Sequence, residues 1–269
     1  MGRIGQRFAA LRARGERALV PFVTAGDPDL AATQSLVLAL AQSGADLIEI
    51  GIPFSDPLGD GPVVQRANER ALRSGTSLRR VLELVKTLRP QVELPLVLMG
   101  YTNPILAMGE ERFAEAAAAV GVDGVIVVDL PPEEDEDLFG ALAANGVDAI
   151  LLAAPTTQPK RLAMLAERTR GFLYYVSLTG VTGARSELAR GIEASVREIR
   201  AISEVPVCVG FGVSTPEQVR EVGRFADGVV VGSALIEAIQ RAGPGPAAVD
   251  AAARFVAGLK APLREPVSG

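Results

Sequence analysis

The chain has 269 residues, of which 48% are hydrophobic, and its formal net charge is −5. This acidic balance disfavours nucleic-acid binding, which relies on basic residues to neutralise phosphates. The sequence contains no histidine and a single cysteine, Cys208, which excludes Ser-His-Asp catalysis, Cys-His catalysis, the usual zinc sites and an internal disulfide.

Short apolar runs alternate with longer segments of helical periodicity. The basic N-terminal segment lacks the continuous apolar stretch of a secretory signal and is predicted to be an amphipathic surface helix. The tail after Lys260 is expected to be frayed. The predicted strands are residues 18–26, 47–52, 95–101, 124–129, 149–154, 172–177, 205–212 and 227–235.

Eight strand–helix units in strict alternation predict a parallel sheet with helices outside it. The strands are nearly continuous apolar runs, as expected when both faces are buried. Eight units in about 250 residues fit the (β/α)8 TIM barrel, here with an extra N-terminal helix and extra helices after strands 2 and 8. We therefore expect residues 1–269 to form one α/β barrel domain. No apolar run reaches the length of a membrane span.

A Gly-x-Asp signal precedes several of the predicted strands. It occurs at residues 44–46, 121–123 and 146–148, and Phe-Ala-Asp occupies 225–227. We interpret this faint repeat as local turn chemistry between a helix and the next strand.

Two carboxylates mark the end of the second predicted strand. Glu49 lies inside the apolar run, and Asp60 lies between glycines in the following loop. The active site of this fold lies at the C-terminal ends of the strands, and without histidine its acid–base chemistry falls to such groups. Burial should favour the neutral form of Glu49. Asp60 is expected to lie on a mobile loop that can move towards the site. The alternatives are a buried ion pair for Glu49 and a simple turn role for Asp60.

Glycine-bearing loops follow the sixth, seventh and eighth predicted strands. Glycine lets backbone N–H groups approach an anion closely, and the last loops of this fold recurrently bind phosphate. We predict a phosphate site for a small phosphorylated substrate, although each glycine alone could be an ordinary turn residue. The predicted phosphate-binding residues are Gly183, Gly212, Gly232 and Ser233.

Six motifs, in order, carry a family resemblance. They are PFVTAGDPD, IEIGIPFSDPLGDGPVVQ, MGYTNP, VDGVIVVDLPPEE, SLTGVTG and GFGVSTPEQV. Over about residues 15 to 240 the chain resembles the alpha chain of tryptophan synthase. The resemblance implies a lyase that cleaves indole-3-glycerol phosphate to indole and glyceraldehyde 3-phosphate by a retro-aldol reaction. Glu49 then matches the general acid and base, and Asp60 matches the carboxylate that binds the indole N–H.

The resemblance also implies further substrate-binding residues. Tyr174 matches a tyrosine near the catalytic glutamate, and Thr182 matches a loop threonine that contacts Asp60 on closure. For each apolar position the alternative is ordinary barrel core. The positions matching the apolar indole pocket are Phe22, Tyr101, Ile126, Leu152 and Phe211.

The implied assembly contains two alpha and two beta chains in the cytoplasm. No metal or cofactor is expected in this chain, and pyridoxal phosphate is expected in the beta chain. The loop after strand 2, the MGYTNP region and the loop carrying Pro131 and Pro132 would face that partner. Three alternatives remain, namely a free-standing lyase, a catalytically silent regulatory subunit and another phosphate-binding barrel such as a sugar-phosphate isomerase.

Overall fold

The computed structural model describes residues 2–176, 185–210 and 212–265. Within these ranges the strands are all parallel and hydrogen-bonded in the order β5-β4-β3-β2-β1-β9-β8-β7-β6. The strands are β1 (Ala18–Thr24), β2 (Ile48–Gly51), β3 (Leu96–Gly100), β4 (Gly124–Val127), β5 (Asp148–Ala149), β6 (Leu151–Ala153), β7 (Leu173–Val176), β8 (Val207–Gly210) and β9 (Gly228–Val231).

The fifth predicted strand closes the barrel, although it is split at Ile150. Its first part, β5, pairs with β4, and its second part, β6, pairs with β7. The Ile150 N–H still donates to the Val125 carbonyl at 2.9 Å. One short segment therefore joins both edges of the sheet, and the prediction of a TIM barrel is confirmed.

Helices surround this barrel. They are α1 (Arg3–Ala13), α2 (Leu30–Gln42), α3 (Pro62–Arg73), α4 (Leu78–Leu88), α5 (Thr102–Met108), α6 (Glu110–Val120), α7 (Glu136–Ala144), α8 (Pro159–Arg168), α9 (Arg185–Ile202), α10 (Pro216–Gly223), α11 (Ser233–Ala242) and α12 (Pro246–Lys260). The extra N-terminal helix and the helix pairs after the second and last strands are present as predicted. Among the described helices, none is long and apolar enough to cross a membrane.

Two local predictions were incomplete or wrong. Helix α5 was missed because Tyr-Thr-Asn-Pro resembles a loop, yet Pro104 lies in the first helical turn, where proline is tolerated. The tail does not fray directly after Lys260. Residues Ala261–Leu263 form a 3-10 turn, and the side chain of Leu263 is buried.

The N-terminal end of the barrel is filled. Helix α1 places Ile4, Phe8 and Leu11 in the same cluster as the inward-facing strand residues. The ring of Phe8 lies 6.0 Å from that of Phe172, centroid to centroid. Because α1 plugs this end, a ligand cavity inside the barrel can open only at the C-terminal ends of the strands.

Three aspartates, each directly or closely before a strand, form hydrogen bonds between neighbouring strands at this N-terminal end of the barrel. We call Asp46, Asp123 and Asp227 the base carboxylates; each accepts a hydrogen bond from the backbone N–H of the preceding parallel strand. The donors are Leu19 at 2.8 Å, Leu96 at 2.9 Å and Val207 at 3.0 Å, respectively. Each also binds at least one arginine. The signals at 44–46, 121–123 and 225–227 therefore mark cross-strand bonding as well as local turn chemistry.

Asp46 is the most enclosed of the three. Besides Leu19, it binds Arg7 at 2.6 Å and the buried ammonium of Lys260 at 2.9 Å. Lys260 also donates to the carbonyl of Arg17 at 2.8 Å. This network fastens α1 and α12 to the base of β1 and β2.

Candidate active site

A cavity of about 400 Å³ opens at the C-terminal ends of the strands. It combines two carboxylates, an apolar wall and a group of small residues. The described residues that line it are Phe22, Glu49, Gly59, Asp60, Gly61, Val64, Met99, Tyr174, Val176, Gly210, Gly212, Val213, Ser214, Val230, Gly232, Ser233, Ala234 and Glu237. A larger cavity of about 670 Å³ lies outside the barrel beside α2, α11 and α12, where the carboxylate of Asp27 is already paired with Arg70.

Glu49 is held rigidly at the floor of this cavity. It lies on β2 between Phe22 of β1 and Val97 of β3, and its side chain is completely buried. Neither carboxylate oxygen has a hydrogen-bond partner among the described residues, which therefore give no support to the alternative of a buried ion pair. Burial raises the pKa of Glu49 to about 8. At neutral pH the group therefore carries a proton that it can donate.

Asp60 reaches the same cavity from the loop that follows β2. Its backbone N–H donates to the Pro57 carbonyl at 3.0 Å, and its Oδ2 accepts from Asn68 Nδ2 at 3.1 Å. Burial raises the pKa of Asp60 to about 6, although hydrogen bonds from Asn68 and Tyr101 act in the opposite direction. The two carboxyls thus differ in acidity, which suits opposite protonation states near pH 7.

Tyr101 fastens the Asp60 loop to the barrel. Its hydroxyl accepts a hydrogen bond from the Gly59 N–H at 3.0 Å, and its ring stacks on Phe54 with the centroids 5.2 Å apart. Burial and the nearby Asp60 raise the pKa of the Tyr101 phenol. Tyr101 therefore supports the loop that carries Asp60 and is not among the residues that line the cavity, although the sequence predicted it on the pocket wall.

The apolar wall contains part of the predicted indole pocket. Phe22 and Tyr174 line the cavity. Glycine makes room for each ring: a Cβ at Gly51 would lie 2.6 Å from Phe22 Cζ, and one at Gly210 would lie 2.5 Å from the Tyr174 hydroxyl. Burial, together with Glu49, raises the pKa of Tyr174 well above its usual range.

The structure places two predicted pocket residues elsewhere. Ile126 is fully buried in the filled interior of the barrel. Leu152 lines a separate cavity of about 240 Å³ beside the loop after β4. Sequence reasoning missed Met99, Val176 and Val230, which line the cavity from β3, β7 and β9. The alternation of side chains could have found Met99 and Val176, because each lies two residues after an inward-facing position.

The predicted phosphate-binding residues that the structure describes share this cavity. Gly212 adopts a φ of +58°, and a Cβ there would meet open space. Gly232 precedes α11 and Ser233 is its first residue. Both line the cavity, so the N-terminus of this helix, with its unpaired backbone N–H groups, lies at the cavity. Ser214 lines the cavity too and was missed. Thr182, Gly183 and Phe211 lie outside the described residues.

Comparison with known proteins decides the family. A family model described as "Tryptophan synthase alpha chain" matches residues 8–261. The chain belongs to the tryptophan synthase alpha chain family. A tryptophan synthase alpha chain from Geobacter sp. (strain M21) is 57% identical over 241 residues, covering 90% of each chain. The one from Geotalea uraniireducens is 50% identical and covers 98% of each chain.

Solved structures agree with this assignment. The tryptophan synthase subunit alpha from Legionella pneumophila superposes with a TM-score of 0.89 at 39% identity, covering 98% of both chains. A chain of Mycobacterium tuberculosis tryptophan synthase also gives 0.89 at 39% identity, covering 98% of this chain and 99% of that one.

Membership of the tryptophan synthase alpha chain family establishes the reaction. The protein is a lyase of tryptophan biosynthesis that cleaves indole-3-glycerol phosphate to indole and glyceraldehyde 3-phosphate. The family also implies a beta-chain partner. The prediction made from the motifs is thus confirmed, in preference to a free-standing lyase, a silent regulatory barrel or a sugar-phosphate isomerase.

Proposed function

We propose that Glu49 is the general acid and base of this cleavage and that Asp60 stabilises the charge that develops on the indole ring. The observation that carries the proposal is the pairing of two unlike carboxyls in one cavity. Glu49 is rigid, buried and protonated at neutral pH, whereas Asp60 is ionised there and lies on a loop.

The reaction then needs two proton transfers, one from Glu49 and one to it. The Glu49 carboxyl donates its proton to indole C3, which leaves a positive charge shared with the ring nitrogen. The ionised Asp60 stabilises that charge through the indole N–H. The Glu49 carboxylate next takes the proton of the 3′-hydroxyl, the bond between C3 and C3′ breaks, and its electron pair returns to the ring. Indole and glyceraldehyde 3-phosphate result, and Glu49 is protonated again.

The two ends of the substrate would occupy different parts of the cavity. Phe22 and Tyr174 offer aromatic surface to the indole, beside both carboxyls. Gly212, Gly232 and Ser233 offer backbone N–H groups and a helix N-terminus to the phosphate. For Thr182 the proposal rests on the family resemblance, and for Gly183 it rests on the glycine-bearing loop after the sixth predicted strand.

Indole release by the purified chain, mixed with a beta chain, tests these roles. We expect Glu49→Gln to abolish cleavage while a non-cleavable indolylalkyl phosphate still binds. Asp60→Asn should lower kcat more than tenfold, because loss of one such electrostatic stabiliser costs roughly 3 kcal/mol. Glu69→Gln is the matched control, since Glu69 is an exposed carboxylate on α3. Retained turnover in Glu49→Gln would contradict the mechanism.

The setting of the enzyme is also part of the proposal. We propose a single-domain chain that works without a cofactor, because two carboxyls suffice for the proton transfers. It would join a pyridoxal-phosphate beta chain as two alpha and two beta chains, in the cytoplasm. Leu58, on the loop that carries Asp60, and Leu106, on α5, are both exposed and support an interface on this side of the barrel.

A further inference from the structure

The loop that carries Asp60 does not itself orient the carboxylate. Its backbone hydrogen bonds include two short-range ones, from Leu58 to Asp56 at 2.9 Å and from Asp60 to Pro57 at 3.0 Å. Leu58 is 94% exposed, and a Cβ at Gly61 would meet open space. Some other element must fix the direction of the carboxylate if it is to meet the indole N–H at hydrogen-bond distance.

Asn68 is placed to do this. It lies on the buried face of α3, and its side chain is only 4% exposed. A buried amide is unfavourable unless it forms hydrogen bonds, and the partner that Nδ2 finds is Asp60 Oδ2 at 3.1 Å. A hydrogen bond to a carboxylate is also stronger than one between neutral groups.

The helix that carries Asn68 is anchored independently of the loop. Two residues further along α3, Arg70 binds both oxygens of Asp27 at 2.7 Å. Ser74, directly after the helix, donates to the Gly26 carbonyl at 3.1 Å. Both contacts fasten α3 to the segment that follows β1. Asn68 therefore has a fixed position relative to the barrel, which the Asp60 loop lacks.

We infer that Asn68 is a positioning residue that aims the Asp60 carboxylate into the cavity and favours its ionised form. The inference rests on the role proposed for Asp60. Tyr101 supports the loop through Gly59 and also acts on Asp60. Asn68 differs from Tyr101 because the helix that carries it is anchored to the segment after β1. The other titratable groups around the Asp60 carboxyl are Tyr101, Glu49, Tyr174 and Glu237.

The pH dependence of kcat/KM distinguishes positioning from a structural role. Activity should rise with pH as Asp60 loses its proton, and this rise is the acid limb of the profile. Asn68→Leu removes the donor at similar volume, so the pKa of Asp60 increases and the acid limb moves upward. We expect a shift of about one pH unit and roughly fivefold lower kcat/KM at pH 6, with the KM less affected than kcat.

Two further variants make the test robust. Asn68→Asp keeps the shape of the side chain but places a second carboxyl beside Asp60, so it should move the acid limb at least as far. Gln65→Leu is the matched control, because exposed Gln65 donates to the Asp60 backbone carbonyl at 2.9 Å rather than to the carboxylate. Its acid limb should stay in place. Circular dichroism establishes which variants fold.

The possible outcomes separate the two claims. An acid limb that moves in folded Asn68 variants, but not in Gln65→Leu, supports the inference. An equal loss at every pH, or an unchanged profile, overturns it. If Asp60→Asn itself keeps the acid limb and normal turnover, the role proposed for Asp60 fails first, whatever the Asn68 variants show.

Discussion

Replacing Glu49 with glutamine should abolish cleavage and at the same time stabilise the protein. The folded chain keeps Glu49 fully buried with no partner among the described residues, and its pKa rises from the ordinary 4.5 to about 8. In the unfolded chain the same group ionises freely in water. Folding at neutral pH therefore requires Glu49 to take up a proton, and that requirement opposes folding.

The size of the effect follows from the two pKa values. At pH 7 the solvent is 2.5 units above the ordinary pKa of 4.5. At 1.36 kcal/mol per unit, the penalty is about 3 kcal/mol. At pH 5 it falls below about 1 kcal/mol, because the solvent is then only about 0.5 units above the ordinary pKa of 4.5. The stability that this group contributes is fully present below pH 4.5 and is lost as pH rises towards about 8. Glutamine has the same shape and never ionises, so the variant escapes the penalty.

Calorimetric melting of both proteins at pH 5, 7 and 8.5 measures this prediction. The difference in unfolding free energy should favour Glu49→Gln and should grow with pH. Glu69→Gln, at an exposed carboxylate, should differ from the parent by the same small amount at each pH. A Glu49→Gln protein that is less stable than the parent at pH 7, or a difference independent of pH, would refute the reasoning.

Three further outcomes follow from the site and the barrel base. The kcat/KM of the parent should form a bell, rising near pH 6 as Asp60 ionises and falling near pH 8 as Glu49 loses its proton; a profile flat across that window would contradict the assignment. Ser233→Asp puts a negative charge where the phosphate should bind, so KM should rise more than tenfold with kcat less affected, as steady-state indole release would show. Asp46→Ala removes the nearer of two carboxylates that pair with buried Lys260, at 2.9 Å against 3.4 Å for Glu16, and it also removes the partner of Arg7. It should cost about 3–5 kcal/mol of stability in denaturant melts, with little effect on KM.

The sequence predicted the barrel well because its signals are local and repeated. Apolar runs, helical periodicity and short connections recur eight times, so one uncertain boundary changes nothing in the topology. The interruption at Ile150 could not be predicted, because it arises from closing the sheet rather than from local propensity. Helix α5 was missed for the opposite reason, since proline in its first turn resembles a loop.

The site was predicted unevenly, for a physical reason. Glu49 stood out because a charge within an apolar strand is anomalous in any context. Tyr101, Ile126 and Leu152 are apolar or aromatic residues in predicted apolar strands. Such a pattern is equally compatible with lining the cavity, with supporting a loop and with filling the barrel core. Asn68 gave no signal because its importance depends on contact with Asp60, eight residues away across a loop and a helix turn.

The base carboxylates join three pairs of consecutive strands. Asp46 binds β2 to β1, Asp123 binds β4 to β3, and Asp227 binds β9 to β8. We call each of these pairs, with its helices, a cassette, because the hydrogen bond that joins its two strands lies entirely within it. Recombination between relatives at junctions between cassettes keeps every carboxylate with its N–H partner. A crossover inside a cassette can separate them, so chimaeras built along these boundaries should tolerate more sequence exchange.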